Sequence, residues 1–363
     1  MKVLLYFQNY NLITKSGIGR ALKLQIKALT KNGIEYTLDP NDTYDIAHIN
    51  TYWAKSYKVL KKCKKNNIPV IVHGHSIVED MEGSFSCWQL ANLYTKPHIL
   101  KMYRNADFMI SPTMFSANVI KNYKNVNCEV VALSNGLDLE EYKFSQEKID
   151  LYRKYFNIKE NEKVVIGVGI PFKRKGFFDF IEIAKKMSDT KFIWFGGLKE
   201  ILLPKKNTWA MHHLPKNMIM PGYIDNDIIK GAFLDANLVF FPSLLETEGI
   251  VVLEGLASKT PVLVRDIPVY ADWLQDKINC YKGKNNDEFI EIIKKVCESP
   301  KDKNLIEKAY KIAEEREITK IGAKLKDIYT KLLNSKKVSD WNCKNSRNRK
   351  WKTLGLKLQK LSE

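Results

Sequence analysis

The sequence contains no uninterrupted run of about twenty apolar residues, the length a membrane-crossing helix requires, so no part of it reads as a bilayer span. It also lacks cysteines at metal-ligand or redox spacing. The six present (Cys63, Cys87, Cys128, Cys280, Cys297 and Cys343) are scattered singly, which argues against structural zinc and fits a reducing cytosol. The opening stretch, MKVLLYFQNYN, turns polar after a few apolar residues and carries no small-residue cleavage site. It reads as a first core strand, not a signal peptide. Acid is scarce relative to base: 41 Asp and Glu against 59 Lys and Arg leave a formal net charge of +18. Such an excess implies attraction to something polyanionic, whether nucleic acid, anionic lipid head groups or acidic substrates.

What is present is long enough, at 363 residues, for two α/β domains. The most informative stretch is Leu238–Val264, LVFFPSLLETEGIVVLEGLASKTPVLV. A β-rich run stops at Pro242-Ser243, an acidic turn with Glu246 follows, a helical segment spans Ile250 to Ala257, and a second apolar strand follows from Pro261. In such a βαβ unit the loop at the strand's C-terminal end and the N-terminus of the next helix face the ligand crevice. Gly249 has no Cβ, so a phosphate can approach the amides of Gly249, Ile250 and Val251. Glu246 in the loop and Glu254 in the helix suit a nucleotide sugar, one carboxylate beside the reacting centre and one for ribose hydroxyls. As isolated residues they read better as two solvated glutamates flanking a core helix.

Elsewhere, Val3–Phe7 reads as a buried strand, and Gly17 and Gly19 open an amphipathic helix through Leu29. Two glycines at that turn permit close approach of a phosphate or sugar, or simply make a tight turn. Strands follow at Tyr44–Asn50, Ile68–Val72, Ala106–Ser111 and Val130–Leu133; His48 reads as a packed histidine, while His73 and His75 fall just past the end of a strand, where doubly wound sheets bind ligands. Glu79, Asp80 and Glu82 lie in an irregular segment through Trp88 that reads as an acceptor-side loop. Tyr52–Asn67, with Trp53, Lys58, Lys61 and Lys62, and Tyr94–Arg104 are basic, aromatic helices, readable as membrane-surface elements or as helices with one core face and one lysine face.

The second half begins with a polar stretch from Glu140 to Glu162 and a strand at Val164–Val168. Lys173, Arg174 and Lys175 follow between that strand and a helix, placed to neutralise a diphosphate. Further strands are expected at Phe192–Gly197 and Met218–Ile224, and helices at Asp287–Cys297, Lys303–Glu315 and Thr319–Leu333. Asp225-Asn226-Asp227 has the form of a metal-binding pair, but opens a helix where Asp and Asn are ordinary caps. After Ser335 the chain is basic and nearly free of acid, with Trp341, Trp351 and spaced leucines, the pattern of a helix lying on anionic lipid or of a solubilising tail.

Glu246 and Glu254, with seven residues between them, FFPS ahead of the first and LEGLAS enclosing the second, resemble the paired-glutamate signature of retaining GT-B glycosyltransferases of the family-four type. The longer ETEGIVVLE with RDIPVY at Arg265–Tyr270 is similar to the bacterial diacylglycerol glycosyltransferases that make monoglycosyldiacylglycerol. The resemblance implies two doubly wound Rossmann-like domains facing a central cleft: residues 1–140 for the acceptor, 141–318 for the nucleotide sugar, a helix at 319–335 packing back on the first domain, and a basic tail at 336–363. It implies retaining transfer of galactose or glucose from a UDP-sugar to diacylglycerol, with no cofactor, no metal and no nucleic acid as partner. The protein would work in the cytoplasm, peripheral on the inner face of the cell membrane. His73, Glu246 and Lys175 would be catalytic, with His75 on the acceptor side. The donor would be held by Gly17, Gly19, Lys173, Arg174, Lys175, Tyr223, Ile224, Glu246, Gly249, Ile250, Val251 and Glu254. The chain departs from the family pattern at Ile170, where many relatives have arginine, which leaves open which of the three cations takes the diphosphate. A soluble sugar acceptor and a nucleic-acid-binding protein are the competing readings.

Overall fold

A computed structural model describes residues 1–9, 17–81 and 88–335 of the chain. Two six-stranded sheets, parallel throughout, organise it. The first comprises β1 (Lys2–Tyr6), β2 (Glu35–Thr37), β3 (Ile46–Ile49), β4 (Val70–His73), β5 (Phe108–Ser111) and β6 (Glu129–Ala132), in the order 2-1-3-4-5-6. The second comprises β7 (Val164–Val168), β8 (Lys191–Phe195), β9 (Met218–Gly222), β10 (Leu238–Phe241), β11 (Val262–Arg265) and β12 (Tyr281–Gly283), in the order 12-11-10-7-8-9. Central strands such as Ile46–Ile49, Val70–His73 and Leu238–Phe241 are buried along their whole length. They read as continuous apolar runs because helices cover both faces of the sheet. The three-residue edge strands β2 and β12, EYT and YKG, are absent from the sequence reading: their half-exposed, polar residues carry no apolar run.

The helices that matter to the site are α1 (Gly17–Lys31), α2 (Ala54–Lys65), α3 (Trp88–Arg104), α4 (Met114–Lys121), α5 (Gln146–Phe156), α6 (Phe177–Lys186), α7 (Lys205–His212), α8 (Asn226–Asp235) and α9 (Ile250–Ala257). Trp88 corrects one expectation, since it opens α3, which carries Pro97 within it, instead of ending an irregular loop. Helix α8 begins with Asp225 as its N-cap, accepting the Asp227 N–H at 2.7 Å, and Asp227 pairs with Lys148 at 3.0 Å. Among the described residues no group of three His, Cys, Asp or Glu side chains could hold a metal ion, and no helix is long and apolar enough to cross a membrane.

The chain crosses between the sheets twice, side by side. Leu137 N–H donates to Arg316 C=O at 2.9 Å, and Ile318 N–H donates back to Leu137 C=O at 3.0 Å. From Ile318 a helix over residues 318–335 returns to the first sheet, where Ile321, Leu325 and Tyr329 join the core of Val3, Leu5 and Phe108.

Candidate active site

The C-terminal ends of β7 and β10 place two loops against each other. A three-residue 3-10 turn, Lys173–Lys175, ends at Gly176 with φ 75°, and a Cβ there would overlap the Pro242 carbonyl. Glycine is thus required both by backbone and by space. The Leu244 N–H donates to Arg174 C=O at 2.7 Å, closing the contact. Across it Lys175 and Glu246, both largely buried, form an ion pair. Burial lowers the Lys175 pKa against the opposing pull of Glu246, with Arg174 adding to the depression. The Arg174 guanidinium lies 5.7 Å from the Phe172 ring centre, and Lys173 stands in solvent.

Gly249, at φ 86°, caps α9, and a Cβ on it would meet Tyr270 Oη. Ile250 and Val251 follow half-buried, so the helix N-terminus faces the same space as the lysine turn. Glu254, one turn further, is wholly buried and paired with Arg20 of α1. Arg20 Nη2 also donates to Tyr142 Oη at 2.5 Å. Burial opposes the Arg20 charge, but Glu254, Tyr142 and Glu141 together hold that pKa above its ordinary value. Tyr223 and Ile224 follow the end of β9; Tyr223 is about half exposed and its hydroxyl donates to Gly197 C=O at 2.6 Å.

The histidines of the opposite bank are uncharged. His73 stacks on His75 with ring centres 3.9 Å apart, and His48 lies parallel to His73 at 5.2 Å. All three are buried. Burial lowers their pKa values, to about 3 for His48 and His75 and well below the usual value for His73, so each is neutral at pH 7. Gln25 Nε2 can only donate, and lies 3.0 Å from His73 Nδ1 and 3.1 Å from Asn50 Oδ1. His73 Nδ1 therefore accepts, and the single proton of this neutral ring sits on Nε2. His48 Nε2 donates to the same Nδ1 at 3.1 Å, and Tyr329 Oη donates to His48 Nδ1 at 2.7 Å. Buried His73 Nε2 has no hydrogen-bond partner among the described residues. It is an N–H donor awaiting an acceptor. His75 Nε2 donates to Asn50 Oδ1 at 2.7 Å.

One loop joins the two banks. Thr247 Oγ1 donates to His75 C=O at 3.0 Å, and Thr113 Oγ1 donates to Thr247 C=O at 2.8 Å. Buried Glu248 accepts from the Asn135 side-chain amide at 2.6 Å, from the Asn135 N–H and from the Ser134 hydroxyl. Asp80, on the 3-10 turn Val78–Met81, reaches the same space: burial pushes its pKa up to about 6, against the opposing charge of Arg174.

The structure thus brings Lys175 and Glu246 into contact, sets Gly249, Ile250, Val251 and Glu254 on one short helix, and places His73 and His75 across the cleft. Gly17 and Gly19 lie in the first turn of α1, Gly19 buried. Sequence reasoning missed Arg20, Glu248, Gln25 and Asn50. Arg20 directly follows the glycine pair and Glu248 directly precedes the helix-opening glycine, so position was their signal; Gln25 and Asn50 had none. Of the surface residues, Lys58, Lys61 and Lys62 are exposed on α2, but that helix turns Val59, Leu60 and Cys63 into the core and half-buries Trp53. The most exposed large apolar side chains of this domain are instead Leu90, Leu93 and Tyr94 of α3 and Met114 at the start of α4. Glu82, Trp341 and Trp351 lie outside the described residues.

Two parallel, doubly wound α/β sheets whose loops meet between them have the GT-B architecture found in glycosyltransferases. Sucrose-phosphate synthase from Thermosynechococcus elongatus has the same fold, with TM-score 0.77 and 15% identity over 92% of this chain and all of that one. HepE of Anabaena, solved with UDP and glucose, has TM-score 0.72 and 17% identity over 91% of this chain and all of that one. The family described as Glycosyltransferase Family 4 matches residues 24–141, and Glycosyl transferases group 1 matches residues 148–312. A processive diacylglycerol alpha-glucosyltransferase of Acholeplasma laidlawii is 50% identical over 337 residues, 93% of this chain and 100% of the relative. An alpha-galactosylglucosyldiacylglycerol synthase of Streptococcus pneumoniae is 25% identical over 83% of this chain and 81% of that protein. The chain belongs to the family-four glycosyltransferases, in the group of the diacylglycerol glycosyltransferases.

Proposed function

We propose that this protein transfers glucose from UDP-glucose to diacylglycerol at a membrane surface, with retention at the anomeric carbon, giving an α-glucosyldiacylglycerol. The observation that carries the reading is the meeting of the Lys173–Lys175 turn with the buried Glu246 and the α9 N-terminus. Fixed positive charge and unpaired amides there stabilise a departing diphosphate. In the step proposed, the anomeric carbon loses its bond to the UDP oxygen and gains one to the lipid hydroxyl on the same face. The hydroxyl proton passes to the departing diphosphate. Lys175 and Arg174 hold the diphosphate, Glu246 sits at the transferred sugar, Glu254 at the ribose, and His73 Nε2–H donates to a sugar hydroxyl. His73 is a hydrogen-bond donor in this scheme and not a base, because its Nδ1 is the accepting nitrogen. Glucose is preferred to galactose because the relative sharing half its residues with this chain carries glucosyltransferase in its name.

The transfer is further proposed to need no metal, since the one Asp-x-Asp sequence is used as a helix cap and an ion pair. Purified protein incubated with diacylglycerol vesicles should form the α-glucolipid from UDP-glucose in preference to a galactolipid from UDP-galactose, with or without EDTA. Product formed only from a soluble sugar acceptor would overturn the lipid assignment, and loss of activity reversed by Mg²⁺ would overturn the metal-independent one.

A further inference from the structure

Between β8 and β9 the second domain carries a protrusion that the proposed chemistry does not use. A 3-10 turn at Glu200–Leu202 leads into α7, anchored beneath by buried Leu203 and Ala210 and by Asn207, whose Nδ2 donates to Pro171 C=O at 2.5 Å. Its outer side exposes apolar side chains among lysines and histidines. Ile201 is 85% exposed, Trp209 61% and Leu202 47%. Ile201 and Trp209 line an open depression of about 730 Å³ with Pro204 and Thr208. Large apolar groups clustered on an exposed surface mark a contact site, not a solubilising one.

The charges around this cluster are of one sign. Residues 199–216 contain Lys199, Lys205, Lys206 and Lys216 and a single acid, Glu200, whose Oε1 lies 3.1 Å from His212 Nε2. The same composition recurs on α3 of the first domain. There Leu90, Leu93 and Tyr94 are 69, 75 and 51% exposed, the helix carries Lys96, Lys101 and Arg104, and it has no acid at all. Exposed tryptophan and aliphatic side chains ringed by lysine fit the surface of an anionic bilayer: the apolar groups settle at the acyl boundary while lysines meet the head groups. A folded protein partner with a flat acidic face would satisfy the lysines but leave Ile201 without a hydrocarbon environment.

We infer that the segment 199–213 is a second membrane contact, on the nucleotide-sugar domain, acting with α3 so that both domains touch the lipid surface. This rests on the lipid-acceptor reading above. Its consequence is that the donor domain stays at the membrane through the catalytic cycle instead of hanging from the acceptor domain.

The test uses the full chain and vesicles of phosphatidylglycerol and phosphatidylcholine containing diacylglycerol. Ile201→Ser combined with Trp209→Ser should weaken vesicle partitioning about tenfold, given the apolar area these side chains offer a bilayer. Transfer to vesicle-borne diacylglycerol should fall with it. Hydrolysis of UDP-glucose in solution and the melting temperature should match the wild type, since both side chains are exposed. Unchanged partitioning in a variant whose wild type binds the vesicles would overturn the inference. So would a wild type that is dimeric in solution and that these substitutions render monomeric, which would make the face an interface between copies. A wild type that neither binds vesicles nor glycosylates diacylglycerol would instead overturn the functional reading itself.

Discussion

The two banks of the cleft are built on different electrostatic plans. Around the donor loops, charges are kept and paired: Lys175 with Glu246, and Glu254 with Arg20, which reaches across from α1 of the first domain. On the acceptor side, three imidazoles are held neutral and knitted into one hydrogen-bonded stack. Burying a charge pair is costly compared with burying an apolar pair of the same shape. In the proposed reaction the paired charges would receive the dianionic leaving group, and the neutral donors would meet an uncharged sugar and a lipid hydroxyl. The contrast would then divide the work of the site between charge that develops during reaction and shape with hydrogen bonding.

The largest effect expected comes from neutralising the charged bank. Lys175→Met leaves Glu246 buried without its partner, and should lower both stability and turnover, the latter by about 10²–10³-fold, the usual range for a lost electrostatic contact to the transition state. Adding Glu246→Gln removes the orphaned charge. The double variant should regain the melting temperature while turnover stays low. Recovery of turnover along with stability would mean that the bank matters only as packing, and the contrast between the banks would collapse.

A second expectation addresses the neutral bank through pH. With folded pKa values of about 3 for His48 and His75, and a depressed value for His73, all against an ordinary value near 6.5, the unfolded chain binds the protons more readily. The stabilising contribution is complete above about pH 6.5 and is lost as pH falls toward 3, by about 1.4 kcal/mol per pH unit for each imidazole. Denaturant titrations between those limits should show this slope, reduced by one group's share in His75→Gln. The rate should show no imidazole step between about pH 6 and 8; a step there that vanishes in His73→Asn would show that the stack ionises during turnover.

Legibility differed between the banks for a physical reason. The charged bank lies on consecutive chain: glycine, cations and glutamates are carried on two strand-to-helix turns, and their spacing shows in the sequence. Helix Ile250–Ala257 falls where the apolar run places it. The neutral bank is assembled from β3, β4, α1 and the C-terminal helix, with Gln25, Asn50 and Tyr329 coming from far apart. No local pattern announces such a contact. The same limit hid Arg20 and Glu248, whose partners lie in the other half of the chain. It also blurred the surface helices, because an apolar stripe beside lysines reads alike whether it faces lipid or core. Helix α2 turns its stripe inward, whereas α3 leaves Leu90 and Leu93 outside.

The smallest effect is expected at the far end of the neutral stack. Tyr329, wholly buried on the C-terminal helix, donates to His48 Nδ1, so that His48 Nε2–H points at His73 Nδ1 and the proton of His73 stays on its buried Nε2. Tyr329→Phe strands the His48 acceptor and should reduce stability by about 1–2 kcal/mol. Yet the orientation of His73 has a second support, because Gln25 Nε2 can only donate and still faces His73 Nδ1. If the stack is a static scaffold, His48 can change tautomer without disturbing the proton that matters, and turnover should fall less than about tenfold, corresponding to under 1.4 kcal/mol. Combining Tyr329→Phe with Gln25→Met removes both supports and should lower kcat well beyond the product of the single effects. Additive effects of the pair would show that His73 is oriented by its packing against His75 and not by the hydrogen bonds. A large loss in Tyr329→Phe alone would turn the neutral bank from a scaffold into a working proton chain.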